Sequence, residues 1–295
     1  YNMKHRGDVY ATHGLGPVAQ ALDIHRGDRM KTLVAMDTKS VVGKSLVEER
    51  TGQPCENFRN GDHTTTLIRT ENGKVIEIQH DVMTPQPYNR LYQLTGTKGF
   101  ANKYPIEGYA LDAKQLNASG VAPEVDNLNS HSFMPKKDME ALVQKYQHPI
   151  LKKYGEMAKE VGGHGGMDFI MDSRLVYCLQ NGLPLDMDVY DLAEWCCLAE
   201  LGELSMDNNC AAVAFPDFTR GEWNKVKGYK HAYASPEDES VAMEKAKKIT
   251  AKLKEKGAVE WAGEAVENKK PEKQKKYSSV FGEQFKADER YMPKN

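Results

Sequence analysis

Along this chain the spacing of apolar and polar positions changes its period twice. Between residues 14 and 61, short stretches of helix and strand character alternate. The run Pro17-Val18-Ala19-Gln20-Ala21-Leu22 predicts a helix with proline in its first turn, and residues 31–37 predict a strand. Residues 63–70 and 74–80 are rich in β-branched side chains and flank Glu71-Asn72-Gly73. Asn-Gly suits a tight turn, so these runs predict an antiparallel hairpin. Residues 90–96 predict a third strand continuing the same sheet. Consecutive strands with short turns indicate an antiparallel sheet and not strand–helix–strand alternation.

After about residue 135 the period becomes helical. Residues 136–161 predict a helix kinked or broken at Pro149 and ended by Gly162-Gly163-His164-Gly165-Gly166. Residues 167–179 and 189–201 predict two more helices, largely apolar and packed on the sheet. From about residue 235 the chain reads as amphipathic to Lys256 and then as a polar, lysine-rich segment around Lys269-Lys270-Pro271, taken as solvated surface rather than an electrostatic partner site. Residues 1–232 are expected to form one domain and 233–295 a helical, then lysine-rich C-terminal extension.

Composition narrows the classes. The 295 residues carry 40 basic and 42 acidic side chains, a formal charge of −2, and 40% are hydrophobic. Such a chain is not disordered throughout. Balanced charge gives no general attraction to nucleic-acid phosphates, and no apolar run approaches the roughly 18–20 residues of a membrane span. Cys55, Cys178, Cys196, Cys197 and Cys210 have no CxxC spacing and are expected to sit reduced in the interior. His80, His131 and His164 are scattered without zinc-binding spacing, so no metal is expected. Neither a G-x-S-x-G elbow nor a P-loop is present. The chain opens at Tyr1 without an initiator methionine or a basic-then-apolar leader, as expected of a processed product or a portion of something longer.

Gly14-Leu15-Gly16-Pro17-Val18-Ala19 is a formal G-x-G-x-x-A, followed by a helix, a strand and Asp37. It reads either as a dinucleotide fingerprint or as a tight entry into a helix that presents Tyr10, Thr12 and His13 at its mouth. The preceding Val9-Tyr10-Ala11-Thr12-His13 is short and polar, unlike a buried first strand. Tyr10 and His13 could transfer protons or polarise a hydroxyl, or could be structural. The glycines around His164 either bring backbone close to a ligand or simply stop a helix. Parity does not decide which face Tyr92 takes.

Several stretches together carry a family resemblance: residues 7–19 (GDVYATHGLGPVA), 94–99 (LTGTKG), 162–168 (GGHGGMD), 182–190 (GLPLDMDVY) and 215–221 (FPDFTRG). They resemble the NAD-dependent glycoside hydrolases of family 109, the α-N-acetylgalactosaminidase type, within the glucose-fructose oxidoreductase-like superfamily. The resemblance covers roughly residues 1–225. It implies an α+β fold, an open and mostly antiparallel sheet with helices on one face, following an amino-terminal Rossmann domain that this chain lacks. It also implies that the G-x-G-x-x-A is a decoy belonging to the substrate-domain loop.

By the same resemblance, Tyr10 and His13 are catalytic, and Tyr10, Ala11, Thr12, His13 and Tyr92 contact the sugar. Tyr10 also reaches the nicotinamide of the NAD cofactor. Ala11 stands where the family often has proline, Cys196 departs from a common Trp-Ser, and Gly202-Glu203 replaces a usual Ser-Glu. The implied activity is removal of terminal α-N-acetylgalactosamine by transient oxidation at C3, elimination and addition of water, the cofactor carrying the electronic step. A sugar or inositol dehydrogenase domain and a cofactor-free binding or dimerisation module are the alternatives. A glycoside substrate, self-association through the open sheet face, and a bacterial periplasmic or envelope address, with the cytoplasm as alternative, complete the expectation.

Overall fold

The computed structural model describes residues 1–123, 128–180 and 185–225, together with Lys248 and Ala251. The chain divides into two units, Tyr1–Ile249 and Thr250–Asn295. The expected boundary at residue 232 and the lysine-rich segment lie outside the described residues, as does the stretch 235–256 apart from Lys248 and Ala251. The elements are α1 (Thr12–Ala21), β1 (Met30–Asp37), α2 (Val42–Thr51), β2 (Thr64–Thr70), β3 (Val75–His80), β4 (Gln93–Thr95), β5 (Phe100–Asn102) and β6 (Gly108–Ala110), then α3 (Ala113–Ala118), α4 (Lys136–Tyr146), α5 (Pro149–Val161), α6 (Met167–Gln180), α7 (Val189–Asp207) and β7 (Val213–Ala214).

The main sheet has the order β3-β2-β1-β7 and is antiparallel throughout. The hairpin forms as the Asn-Gly turn predicts. Gly73 adopts φ +82°, and Arg69 pairs with Val75 while Thr64 pairs with His80. Alternation along the strands sends Leu33, Ala35, Ile68, Ile76 and Ile78 inward, where α1 and α7 cover them with Leu15, Ala19, Trp195, Leu198 and Leu201. Fully buried side chains such as Leu33, Ile68 and Leu198 each contribute about 1.5–3 kcal/mol. The other face of the sheet is mixed. Met36, Leu67 and Val75 are exposed there beside Arg69, Glu77 and Gln79. An α+β fold with an open antiparallel sheet and helices on one face is what the sequence led one to expect.

Several details differ. The strand at residues 90–96 shrinks to β4 and does not extend the hairpin sheet; it pairs with β5 in a second sheet of order β4-β5-β6. The fourth strand of the main sheet comes instead from β7, whose Val213 pairs with Leu33 of β1 about 180 residues earlier, a partner that no local pattern announces. Helix α1 begins at Thr12, so Pro17 lies inside it and not in its first turn. Helix α2 was not foreseen because its start is capped from a distance: the Asp62 carboxylate accepts the N–H groups of Val41, Val42 and Gly43. Pro149 gives a full break between α4 and α5, with Gln147 and His148 extended. Helix α6 packs on α5 and not on the sheet, and leaves Met167, Met171, Leu175 and Leu179 exposed. Of the cysteines, Cys55 and Cys178 are buried but Cys196 is exposed; all five are free thiols.

Candidate functional site

The segment that leads into α1 is fixed residue by residue. The Arg6 guanidinium holds Asp37 at the end of β1, with Nε 3.0 Å from Oδ2, and reaches Asp207 as well. Gly7 donates its N–H to Oδ1 of the fully buried Asn60 at 2.9 Å. Its φ of +104°, and the Met206 methyl 2.8 Å from where a Cβ would stand, make glycine the residue that fits. Ala11 is buried in the core. Between these anchors Val9 and Tyr10 form a short bridge, and Tyr10 emerges 59% exposed.

Helix α1 then sets the geometry. Gly16 lies in the helix, and the Trp195 ring on α7 approaches to 3.3 Å from its missing Cβ, so the absent side chain lets the two helices close. Gly14 faces Ile78 in the same way at 3.6 Å. Neither glycine forms a turn that could cradle a pyrophosphate, so the G-x-G-x-x-A is a helix-packing device. Beyond α1, Arg26 grips Asp191 at the start of α7 with two contacts of 2.7 and 2.8 Å. Burial alone would raise the Asp191 carboxyl, but Arg26 and the Asp188 backbone hold it below its ordinary range. His25 pairs with buried Glu194 alongside. The helix carrying the candidate residues is thus clamped at its far end.

At the near end, the Tyr10 and His13 rings stack, with centroids 4.7 Å apart and planes 27° from parallel, and the Tyr10 hydroxyl lies 3.4 Å from His13 Nε2. Pro17 has no N–H to give to the carbonyl four residues back, which is that of His13. The Tyr92 hydroxyl donates to this carbonyl instead. Thus proline inside the helix creates the anchor for a tyrosine 79 residues away, just before β4 of the second sheet. Burial holds the Tyr92 phenol above its ordinary range, against the opposing charge of Arg90, so it remains a donor at neutral pH. The structure therefore brings Tyr10, His13 and Tyr92 together. Thr12 opens the helix half-buried, while the Ala11 methyl turns into the core, leaving its backbone as what that residue could offer a ligand.

A second cluster surrounds His164. All five residues from Gly162 to Gly166 have positive φ, His164 at 48°. A Cβ at Gly166 would stand 2.7 Å from the Ala158 backbone, so this strained segment needs its glycines. The result is a 75% exposed imidazole whose Nδ1 lies 2.9 Å from an Asp168 carboxylate oxygen. Gly162, Gly163 and Asp168 also line a cleft of about 750 Å³ between α5 and α6, together with Tyr154, Arg174 and Tyr177. Among the described residues no hydrogen bond or ring contact joins His164 to Tyr10 or His13. The sequence pointed to the glycines but not to Asp168 as the partner of His164, although their four-residue separation was a signal. Among the described residues no group of three or more histidines, cysteines and carboxylates could hold a metal ion, and no helix is long and apolar enough to cross a membrane.

Comparison with known proteins places this arrangement. The model of the family "Glycosyl hydrolase 109, C-terminal domain" matches residues 1–225. The chain is 85% identical over 270 residues to "Glycosyl hydrolase family 109 protein 5" of Phocaeicola vulgatus, covering 92% of this chain and 52% of that protein. It is 63% identical over 234 residues to the "Glycosyl hydrolase family 109 protein" of Porphyromonas gingivalis, covering 79% and 50%. With "Glycosyl hydrolase family 109 protein 1" of Bacteroides thetaiotaomicron the figures are again 63% over 234 residues. The chain spans about half the length of the curated relatives it matches. A matched segment that includes both the Tyr10–His13–Tyr92 cluster and the His164 loop shows that the chain belongs to glycosyl hydrolase family 109, as a C-terminal domain of that family.

Proposed function

We propose that this chain is the substrate-binding half of an NAD-dependent glycosidase that removes terminal α-N-acetylgalactosamine. The observation that carries the reading is the chemistry at the mouth of α1, an exposed phenol stacked on an imidazole with a protonated second phenol beside them. Two-carboxylate glycoside hydrolysis needs a pair of carboxyl groups about 5–9.5 Å apart across the bond. The carboxyl nearest in the chain, Asp8, is instead buried behind the loop. Phenols and imidazoles suit proton transfer near neutral pH, next to a carbonyl and not at an ionised glycosidic carbon.

The dinucleotide does not fit Gly14 and Gly16, which pack α1 against Ile78 and Trp195, so its phosphates would be held by the other half of the full-length protein. When bound, NAD supplies reversible oxidation of the sugar's C3 hydroxyl and so acidifies the neighbouring C2 hydrogen. This chain contributes the rest. His13 and Tyr10, in hydrogen-bonding reach of one another, take up and return a proton. The Tyr92 hydroxyl, Thr12 and the Ala11 backbone orient the ring. In the full-length protein Tyr10→Phe and His13→Ala should each lower turnover of an α-N-acetylgalactosaminide by about 10²-fold. Exchange of the C2 hydrogen with solvent deuterium isolates the proton step. Wild-type exchange and turnover in both variants would refute the assignment. Net NADH production from a free sugar would favour a dehydrogenase.

A further inference from the structure

Asp8 lies beneath the Tyr10–His13 loop and is 2% exposed. Its Oδ1 accepts the Tyr10 backbone N–H at 3.3 Å. An aspartate that turns back on the amide two residues ahead is a common turn device, and it requires neither burial nor a counter-charge. Here both are present. The charged side chain acting on Asp8 is His80, the last residue of β3, itself 8% exposed. Burial pushes the Asp8 carboxyl above its ordinary range, and the positive charge of His80 pulls it back. A charge-assisted acceptor binds an N–H about twice as strongly as a neutral one. The loop is already fixed on one side by Gly7 on Asn60 and on the other by buried Ala11. Between those anchors the side-chain acceptor that holds the Tyr10 N–H is Asp8.

We propose that Asp8 is a positioning residue of the site, its buried side chain holding the Tyr10 backbone so that the phenol stands on the His13 imidazole. The inference rests on the reading of Tyr10 and His13 as site residues. It explains why a carboxyl that could make the same turn at the surface is buried here.

Two measurements test it. In the chain itself, selectively ¹⁵N-labelled at tyrosine, the Tyr10 amide should follow a titration with a midpoint above the ordinary carboxylate value of about 3.9. In Asp8→Asn that titration disappears. In His80→Gln its midpoint moves upward, because removal of the counter-charge leaves burial unopposed. In the full-length protein, Asp8→Asn should lower kcat on the order of 10-fold with little change in KM, the scale of a misplaced and not a deleted group. Should Asp8→Asn fail to fold, His80→Gln carries the test. A Tyr10 amide that titrates identically in Asp8→Asn, or a midpoint unmoved in His80→Gln, overturns the inference. If Tyr10→Phe loses turnover while Asp8→Asn keeps it, the positioning role fails and the site reading stands. If Tyr10→Phe also keeps full turnover, the site reading fails and the inference falls with it.

Discussion

Replacing Pro17 by alanine separates the two consequences of having proline inside α1. In a helix interior the ring costs about 3 kcal/mol, through the lost N–H and its clash with the carbonyl four residues back. That same loss leaves the His13 carbonyl to the Tyr92 hydroxyl. With alanine at this position the helix recovers up to ~3 kcal/mol, less about 0.4–1 kcal/mol because proline also restrains the unfolded chain. The released Tyr92 bond takes back about 0.5–1.5 kcal/mol more, which leaves a net gain of about 1 kcal/mol, or roughly 2–4 °C in Tm for a unit of this size. Tyr92→Phe on its own removes one neutral hydrogen bond at an exposed place and should cost about 0.5–1.5 kcal/mol. In the Pro17→Ala background that cost should fall toward zero, since the new N–H already satisfies the carbonyl, giving a coupling of about 1 kcal/mol. Urea unfolding of the four proteins, followed by circular dichroism, measures the cycle. In the full-length protein Pro17→Ala should also raise KM if Tyr92 orients the sugar as proposed, because a stabler helix has released that tyrosine. Destabilisation by Pro17→Ala, or an equal cost of Tyr92→Phe in both backgrounds, would refute the reasoning.

Other expectations concern the scaffold and its partners. Burial would raise the Asp62 carboxyl, but the three N–H groups at the start of α2 hold it below its ordinary range. A depressed folded value means stability that is present above the unfolded value of about 3.9 and lost as pH falls through the folded one. Asp62→Ala should therefore cost about 1–2 kcal/mol near neutral pH, and unfolding curves of variant and wild type should converge below about pH 4; a pH-independent gap would contradict this. Calorimetry with the chain alone should show no micromolar NAD binding, since Gly14 and Gly16 pack against Ile78 and Trp195. Self-association through the open sheet face predicts that Leu67→Glu turns the full-length protein from dimer to monomer in light scattering, an outcome excluded if the wild type is already monomeric.

The local pattern determined much of this protein. Alternation in residues 63–80 with Asn-Gly between the strands yields one hairpin register, because a shift by one residue would expose Ile68, Ile76 and Ile78. Pro149 and the glycines after Val161 mark the ends of α5 by backbone sterics alone. Family motifs singled out Tyr10, His13 and Tyr92 as residue types suited to sugar chemistry.

Only the tertiary structure decided how those residues meet. The closing of β7 on β1, the capping of α2 by Asp62 and the hold of Asn60 on Gly7 all join positions far apart in sequence. No periodicity records such pairings, because a side chain's hydrogen-bond partner is chosen by where the packed elements leave an unsatisfied group. Pro17 shows both levels at once. Its missing N–H is written in the sequence, but that the vacated His13 carbonyl would be taken by Tyr92 depends on the second sheet lying beside the mouth of α1.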